Sequence, residues 1–223
     1  MFLLTNLKGP FVLLAAMLLF STNGMWMAIA PDGATPFVVG ASRVVIGTIT
    51  IGLWCLISRQ EVIFRGWPWF WVICYAICLS TYQVAFFNAV SIIGVAVGTV
   101  IAQGSVPIFA GILQYLIYKK RPTKTWFVAA LIGIVGLALV NQVEEINASF
   151  LGFSCALLAG FLTAAGFVSA KHVSVYRTPT EGIFIVMIFT SLMMLPFFIL
   201  FPTEWLFTAK GMFCMGMLGF FNC

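Results

Sequence analysis

The sequence predicts an all-α polytopic membrane protein, an inverted repeat of two five-helix halves with the second half incomplete. Three observations predict it. Of 223 residues, 62% are hydrophobic and 8% charged, at a mean hydropathy of +1.12. A soluble domain carries about 25% charged residues because its surface faces water. This chain lacks the groups to hydrate a globule, so lipid must cover it. Next, its apolar residues gather into runs of the length, about 20 residues, that a helix needs to cross hydrocarbon. Finally, short patches recur 143–144 positions apart along the chain.

The first run, Phe11 to Ala30, is N-terminal and ends on Ala28-Ile29-Ala30, which matches a signal-peptide cleavage site. It is nevertheless read as a helix. The run is too long for a signal core, Ser21-Thr22-Asn23-Gly24 interrupts its middle, and Pro31 follows the supposed cut. After the turn Pro31-Asp32-Gly33, a second helix is expected from Phe37 to Ile57, a third from Trp69 to Val90 and a fourth from Ile92 to Tyr118. The stretch Lys119-Lys120-Arg121-Pro122-Thr123-Lys124 ends the fourth. A fifth covers Thr125 to Val140, a sixth Phe150 to Ala170 and a seventh Gly182 to Phe201, with the polar segment 141–147 after the fifth. An eighth opens at Gly211 and meets Cys223. At 1.5 Å per residue it reaches about 20 Å of a core about 30 Å thick. The native protein is therefore expected to run on to about 290 residues in ten helices, two halves of equal length.

Charge sets the orientation. The formal net charge is +5, but the basic residues sit in short clusters between apolar runs, which is how topology is encoded rather than how nucleic acid is bound. Lys8, Arg59, Arg65, the Lys119–Lys124 cluster, Lys171 and Arg177 fall on one side, and Lys210 alone falls on the other. The positive-inside rule then places the N-terminus in the cytoplasm. Cysteines 55, 74, 78, 155, 214 and 223 lie mostly inside apolar runs, where Cys acts as a small hydrophobe. Cys74 and Cys78 share a helix face without a nearby His or carboxylate, so no metal, cofactor or disulfide framework is expected.

Polar groups at bilayer depth are costly and mark functional candidates. They occur near the middle of the first, third and fourth helices, as Ser21-Thr22-Asn23, Ser80-Thr81-Tyr82-Gln83 and Gln103-Gly104-Ser105. Pro107 has no N–H, which frees the carbonyl of Gln103 four residues earlier. Arg43 is the one charge inside a span; it serves either as an anchor snorkelling to the outer surface or as an anion contact. The candidate solute-binding residues are thus Asn23, Arg43, Tyr82, Gln83 and Gln103. A lone Ser or Thr is better read as bonding its own helix backbone, and Gly94, Gly98, Gly133 and Gly136 as small-residue packing seams. Asp32, Glu61, Glu144, Glu145, Glu181 and Glu204 all fall in loops or at helix ends, so no buried acidic relay is expected in this portion. Nor is there a nucleophile with a base, a carboxylate pair or a metal set in the spans, and no enzyme activity is expected.

The repeat and its motifs carry a resemblance. Leu13-Leu14-Ala15-Ala16 is echoed by Leu157-Leu158-Ala159-Gly160, and Thr35-Pro36 by Thr178-Pro179. Phe20-Ser21-Thr22-Asn23-Gly24, Ala41-Ser42-Arg43, the Gly98–Pro107 stretch, Arg121-Pro122-Thr123, Gly133-Ile134-Val135-Gly136 and Gly152 through Lys171 together resemble a drug/metabolite transporter of the EamA type. Phe20 stands where that family often has Trp, and Lys119-Lys120 where it often has Gly-Glu. The resemblance implies two EamA-like repeats, 11–140 and 150–223, the second truncated. It implies a permease of a bacterial inner membrane that exports small metabolites, such as amino acids, related organic solutes or drugs, by alternating access around a midplane cavity. The expected partners are the solute, the lipid bilayer and a second copy in a homodimer, with nucleic acid excluded. The rival expectation is a membrane assembly protein that does not transport, or an inactive fragment.

Overall fold

The computed structural model describes residues 11–12, 14–15, 18–19, 26, 29–31, 33–59, 63, 65–119, 123–140, 149–176 and 178–221. Residues 11, 12, 14, 15, 18, 19, 26 and 29, within the first expected span, are helical. Seven further helices follow: α1 (Pro36–Ile57), α2 (Trp69–Ile93), α3 (Val95–Tyr118), α4 (Lys124–Val140), α5 (Phe150–Val173), α6 (Pro179–Leu200) and α7 (Ala209–Phe221). A 3-10 turn, Glu204–Phe207, precedes α7. Five of them (α1, α2, α3, α5 and α6) are long and apolar enough to cross a membrane. Their outward faces carry Ile49, Leu53, Phe70, Ile112 and Ile199 to hydrocarbon, so these helices are apolar all round, as lipid requires.

Local chemistry sets the ends. Both α1 and α6 are 22 residues long and open on a proline after a threonine, Thr35-Pro36 and Thr178-Pro179. Proline suits a first turn, where its missing N–H costs nothing. At α6 the Thr178 hydroxyl donates to Glu181 Oε1 at 3.0 Å and accepts from the Glu181 N–H at 3.4 Å, in the manner of a capping box. The expected start of this helix, Gly182, is therefore late by one turn. Gly94, with φ +85°, separates α2 from α3. Its role is conformational, since such a φ is strained for any residue with a Cβ. The break consequently sits later than the expected one at Ser91.

α2 packs most extensively on α5, which also lies along α3; α1 packs on α6 and α7, and α2 also touches α6. Small residues allow the closest approach. A Cβ built on Gly160 of α5 would stand 2.6 Å from the Ala102 carbonyl oxygen of α3 and collide with the Ser105 hydroxyl. Gly98 meets the Val90 backbone at 3.3 Å, as a packing glycine should. Among the described residues, nothing lies within 4 Å of a Cβ at Gly133 or Gly136.

Contacts also give the helix directions. Phe37 stacks on Phe201 at 4.6 Å, Thr48 bonds Ser191, and Gly52 faces the Phe184 ring, so α1 and α6 run antiparallel. Ala102 and Ser105 lie at Gly160, Phe109 at Phe161 and Tyr118 at His172, so α3 and α5 run parallel.

Candidate functional site

Three helices bring four of the five candidate residues together. On α1, Arg43 sits about two turns beyond Pro36. Its guanidinium donates from Nη1 to Oε1 of Gln83 on α2 at 3.3 Å. Gly40, one turn before Arg43, makes this reach possible: a Cβ there would stand 3.1 Å from the Gln83 Cβ, so the two backbones come as near as a glycine permits. Next to Gln83, the buried Tyr82 side chain is approached by Arg43 and by Gln103 of α3. The result is a polar chain from α1 through α2 to α3.

Arg43 is 5% exposed and Gln83 2%, while Gln103 is half-buried. Snorkelling of Arg43 to the outer surface is thereby corrected. The side chain turns inward because amide and phenol groups solvate it there, whereas most of what flanks α1 is apolar. A buried guanidinium is tolerable only when polar groups surround it. Asn23 lies outside the described residues.

The hydroxyls of Ser80 and Ser105 behave as satisfied helix residues. Ser105 donates to Ala102 O at 2.9 Å and Ser80 to Ile77 O at 3.0 Å, each within its own helix. Thr81 is exposed.

Other polar contacts escaped the reading of the residues. Thr48 Oγ1 lies 2.7 Å from Ser191 Oγ, and its single O–H has two carbonyl acceptors in reach, Val44 O at 2.8 Å and Met187 O at 3.2 Å. Ser191 reaches Val44 O at 3.5 Å. Thr48 and Ser191 are 143 positions apart, as are Val44 and Met187. The offset already seen in Thr35-Pro36 and Thr178-Pro179 could have found them. At the far end, His172 of α5 accepts from or donates to the Tyr118 hydroxyl at 2.8 Å and stacks on Trp71 at 4.0 Å. Lys171 lies 4.5 Å above the Tyr118 ring. Glu181, expected at an open helix end, is 8% exposed. No sequence pattern announced that burial, because it comes from tertiary packing at the start of α6, where Val173 and Trp67 lie against Gly182.

An apolar groove of about 620 Å³ lies elsewhere, between the second half of α1 (Leu53, Trp54, Ile57), the start of α6 (Pro179, Ile183) and Phe220. It shares no residue with the Arg43 chain.

Comparison with known proteins follows the same line. A model of the EamA-like transporter family matches residues 7–142. Over 208 residues the chain is 34% identical to the uncharacterized transporter YwfM of Bacillus subtilis, covering 93% of this chain and 70% of that protein. An uncharacterized transporter of Synechocystis, sll0355, is 25% identical over 142 residues, 63% of this chain and 43% of its own length. A solved crystal structure matches with a TM-score of 0.73 at 19% identity, over 92% of this chain and 71% of that one, a likeness of fold alone.

Proposed function

The chain belongs to the EamA-like transporter family, and from that premise we propose that it exports a small organic solute across a bacterial inner membrane by alternating access. Arg43, Tyr82, Gln83 and Gln103, with Asn23 of the first span, hold the solute. The observation that carries this reading is a buried guanidinium on α1 bonded to Gln83 of α2, with Tyr82 of α2 and Gln103 of α3 beside it, in spans that are largely apolar. Such groups are expensive in a membrane and earn retention by function.

The moving parts are the halves 11–140 and 150–223. The α1–α6 contact supports an inverted repeat, since equivalent residues meet across it in antiparallel helices. A pseudo-two-fold axis lying in the membrane plane generates that relation, and transporters of this plan rock one half on the other around a site near the axis. The Thr48–Ser191 bond then acts as the pivot, because a contact on the axis moves least when the halves exchange positions.

Transport by the protein in proteoliposomes is the test. Loaded liposomes should release solute faster than protein-free ones, and Arg43→Gln should remove the excess. Identical release with and without protein, across a broad mixture of small metabolites, would end the transport reading.

A further inference from the structure

We infer that the ends of α3 and α5 form a binding site for the phosphate of an anionic phospholipid, with Lys119 and Lys171 as its cations. The site shares no residue with the Arg43 chain. Because α3 and α5 run parallel, their last turns finish side by side. Three rings build a platform there. His172 of α5 stacks on Trp71 of α2 at 4.0 Å, with 11° between the planes, and meets the Tyr118 hydroxyl of α3 at 2.8 Å. Tyr118 is thus held by its hydroxyl end, and Lys171 Nζ stands 4.5 Å from its ring centroid.

An ammonium over an aromatic face is attracted by the ring quadrupole. Lys171 is exposed, yet this contact keeps its charge at the junction of the two helices. Lys119 follows Tyr118 directly, closes α3 in the left-handed region with φ +55°, and is also exposed. Its N–H bonds the Tyr115 carbonyl at 2.9 Å, which fixes the backbone that carries the second charge. Among the described residues, neither lysine has a carboxylate partner.

Basic residues at a helix C-terminus also offset the negative end of its dipole. That role does not require the surface that lies beneath these two. Tyr115 and Ile112, four and seven residues before Lys119, are exposed, and so is Phe167, one turn before Lys171. Charge at the helix ends therefore sits directly above an apolar wall on the same two helices. A phospholipid matches both parts, with its phosphate at the lysines and its acyl chains along the wall. A soluble phosphate or an acidic peptide would use the lysines alone. Net negative charge is favoured because a zwitterionic headgroup brings its own ammonium to compete for the phosphate, whereas basic residues near a bilayer gain from anionic lipid.

The experiment presents the detergent-purified protein with phosphatidylglycerol, cardiolipin or phosphatidylcholine of matched chains, and counts bound lipid by native mass spectrometry. The two anionic lipids should stay bound at concentrations where phosphatidylcholine does not. Lys119→Gln combined with Lys171→Gln should weaken them about 25-fold, since one lysine at an anionic surface is worth about fivefold in affinity. Tyr118→Phe keeps the ring beside Lys171 and should retain binding. Tyr118→Leu removes it and should cost about two- to fivefold. Arg59→Gln with Arg65→Gln, exposed basic residues of the loop that leads into α2, is the control and should change little. An equal loss in that control would reveal diffuse attraction to basic surface and overturn the inference. So would equal retention of phosphatidylcholine, or no retained lipid of any kind. Displacement of the lipid by millimolar inorganic phosphate would mark an ion site instead and overturn the assignment to lipid.

Discussion

Arg43 and Gln103 occupy the two ends of one polar chain, and their environments differ. Arg43 is enclosed and already oriented by Gln83, whereas Gln103 is half-buried and approaches Tyr82 from α3. Removing the Gln103 amide should therefore spare the fold and weaken the grip on the solute. We expect Gln103→Ala to lower the transport rate about tenfold at equal membrane abundance, the equivalent of one good hydrogen bond. Unchanged rates at matched abundance would reduce Gln103 to packing. Four of the candidate residues were legible in the sequence because an amide or a charge in an apolar run stands out without any structure. Their connectivity was not, since it depends on Gly40 bringing α1 onto α2.

At the scale of elements, the spans could be read because bilayer thickness fixes their length, and α1, α2 and α5 begin within a residue of expectation. The ends that moved, at Gly94 and at Thr178, were moved by a positive φ and by a capping box, both short-range effects hidden inside hydrophobic runs. Two interfaces then decide stability. α5 lies on α3 through Gly160, where an added methyl meets the Ala102 backbone and not a flexible side chain. Gly160→Ala should destabilise the protein by about 1–3 kcal/mol, the usual range for overpacking. A thermal-unfolding midpoint in detergent equal to that of the wild type would show that the helices part freely. The second interface is the α1–α6 crossing. A double-mutant cycle with Thr48→Val and Ser191→Ala should give a coupling of about 0.6 kcal/mol, typical of hydrogen bonds between membrane helices. Additive effects would mean that each hydroxyl is satisfied by its own helix, as Thr48 already is in part through Val44.

For the whole molecule, helix directions constrain the route of the chain more firmly than helix lengths do. α4 has 17 residues, about 25 Å of helix against about 30 Å of hydrocarbon, and is not among the five helices long enough to span on length alone. Yet α3 and α5 run parallel, and the chain can enter α5 in that direction only after returning across the membrane. α4 is the segment available for the return; local thinning of the bilayer or its flanking residues make up the missing few ångströms. The antiparallel pairing of α1 with α6 demands an even number of crossings between them, which α2, α3 and α5 reach only with α4. The segments on either side of α4, 119–123 and 141–149, must then lie on opposite faces. We expect 119–123 to be the cytoplasmic segment, because cytoplasmic loops retain basic residues such as Lys119, Lys120 and Arg121, whereas the other segment carries Glu144 and Glu145. In a background without native cysteines, Asn147→Cys should react with an impermeant thiol reagent added to intact cells. Lys120→Cys should react only after the membrane is opened. Labelling of position 120 from outside would invert the orientation, and labelling of both positions from outside would show that α4 does not cross.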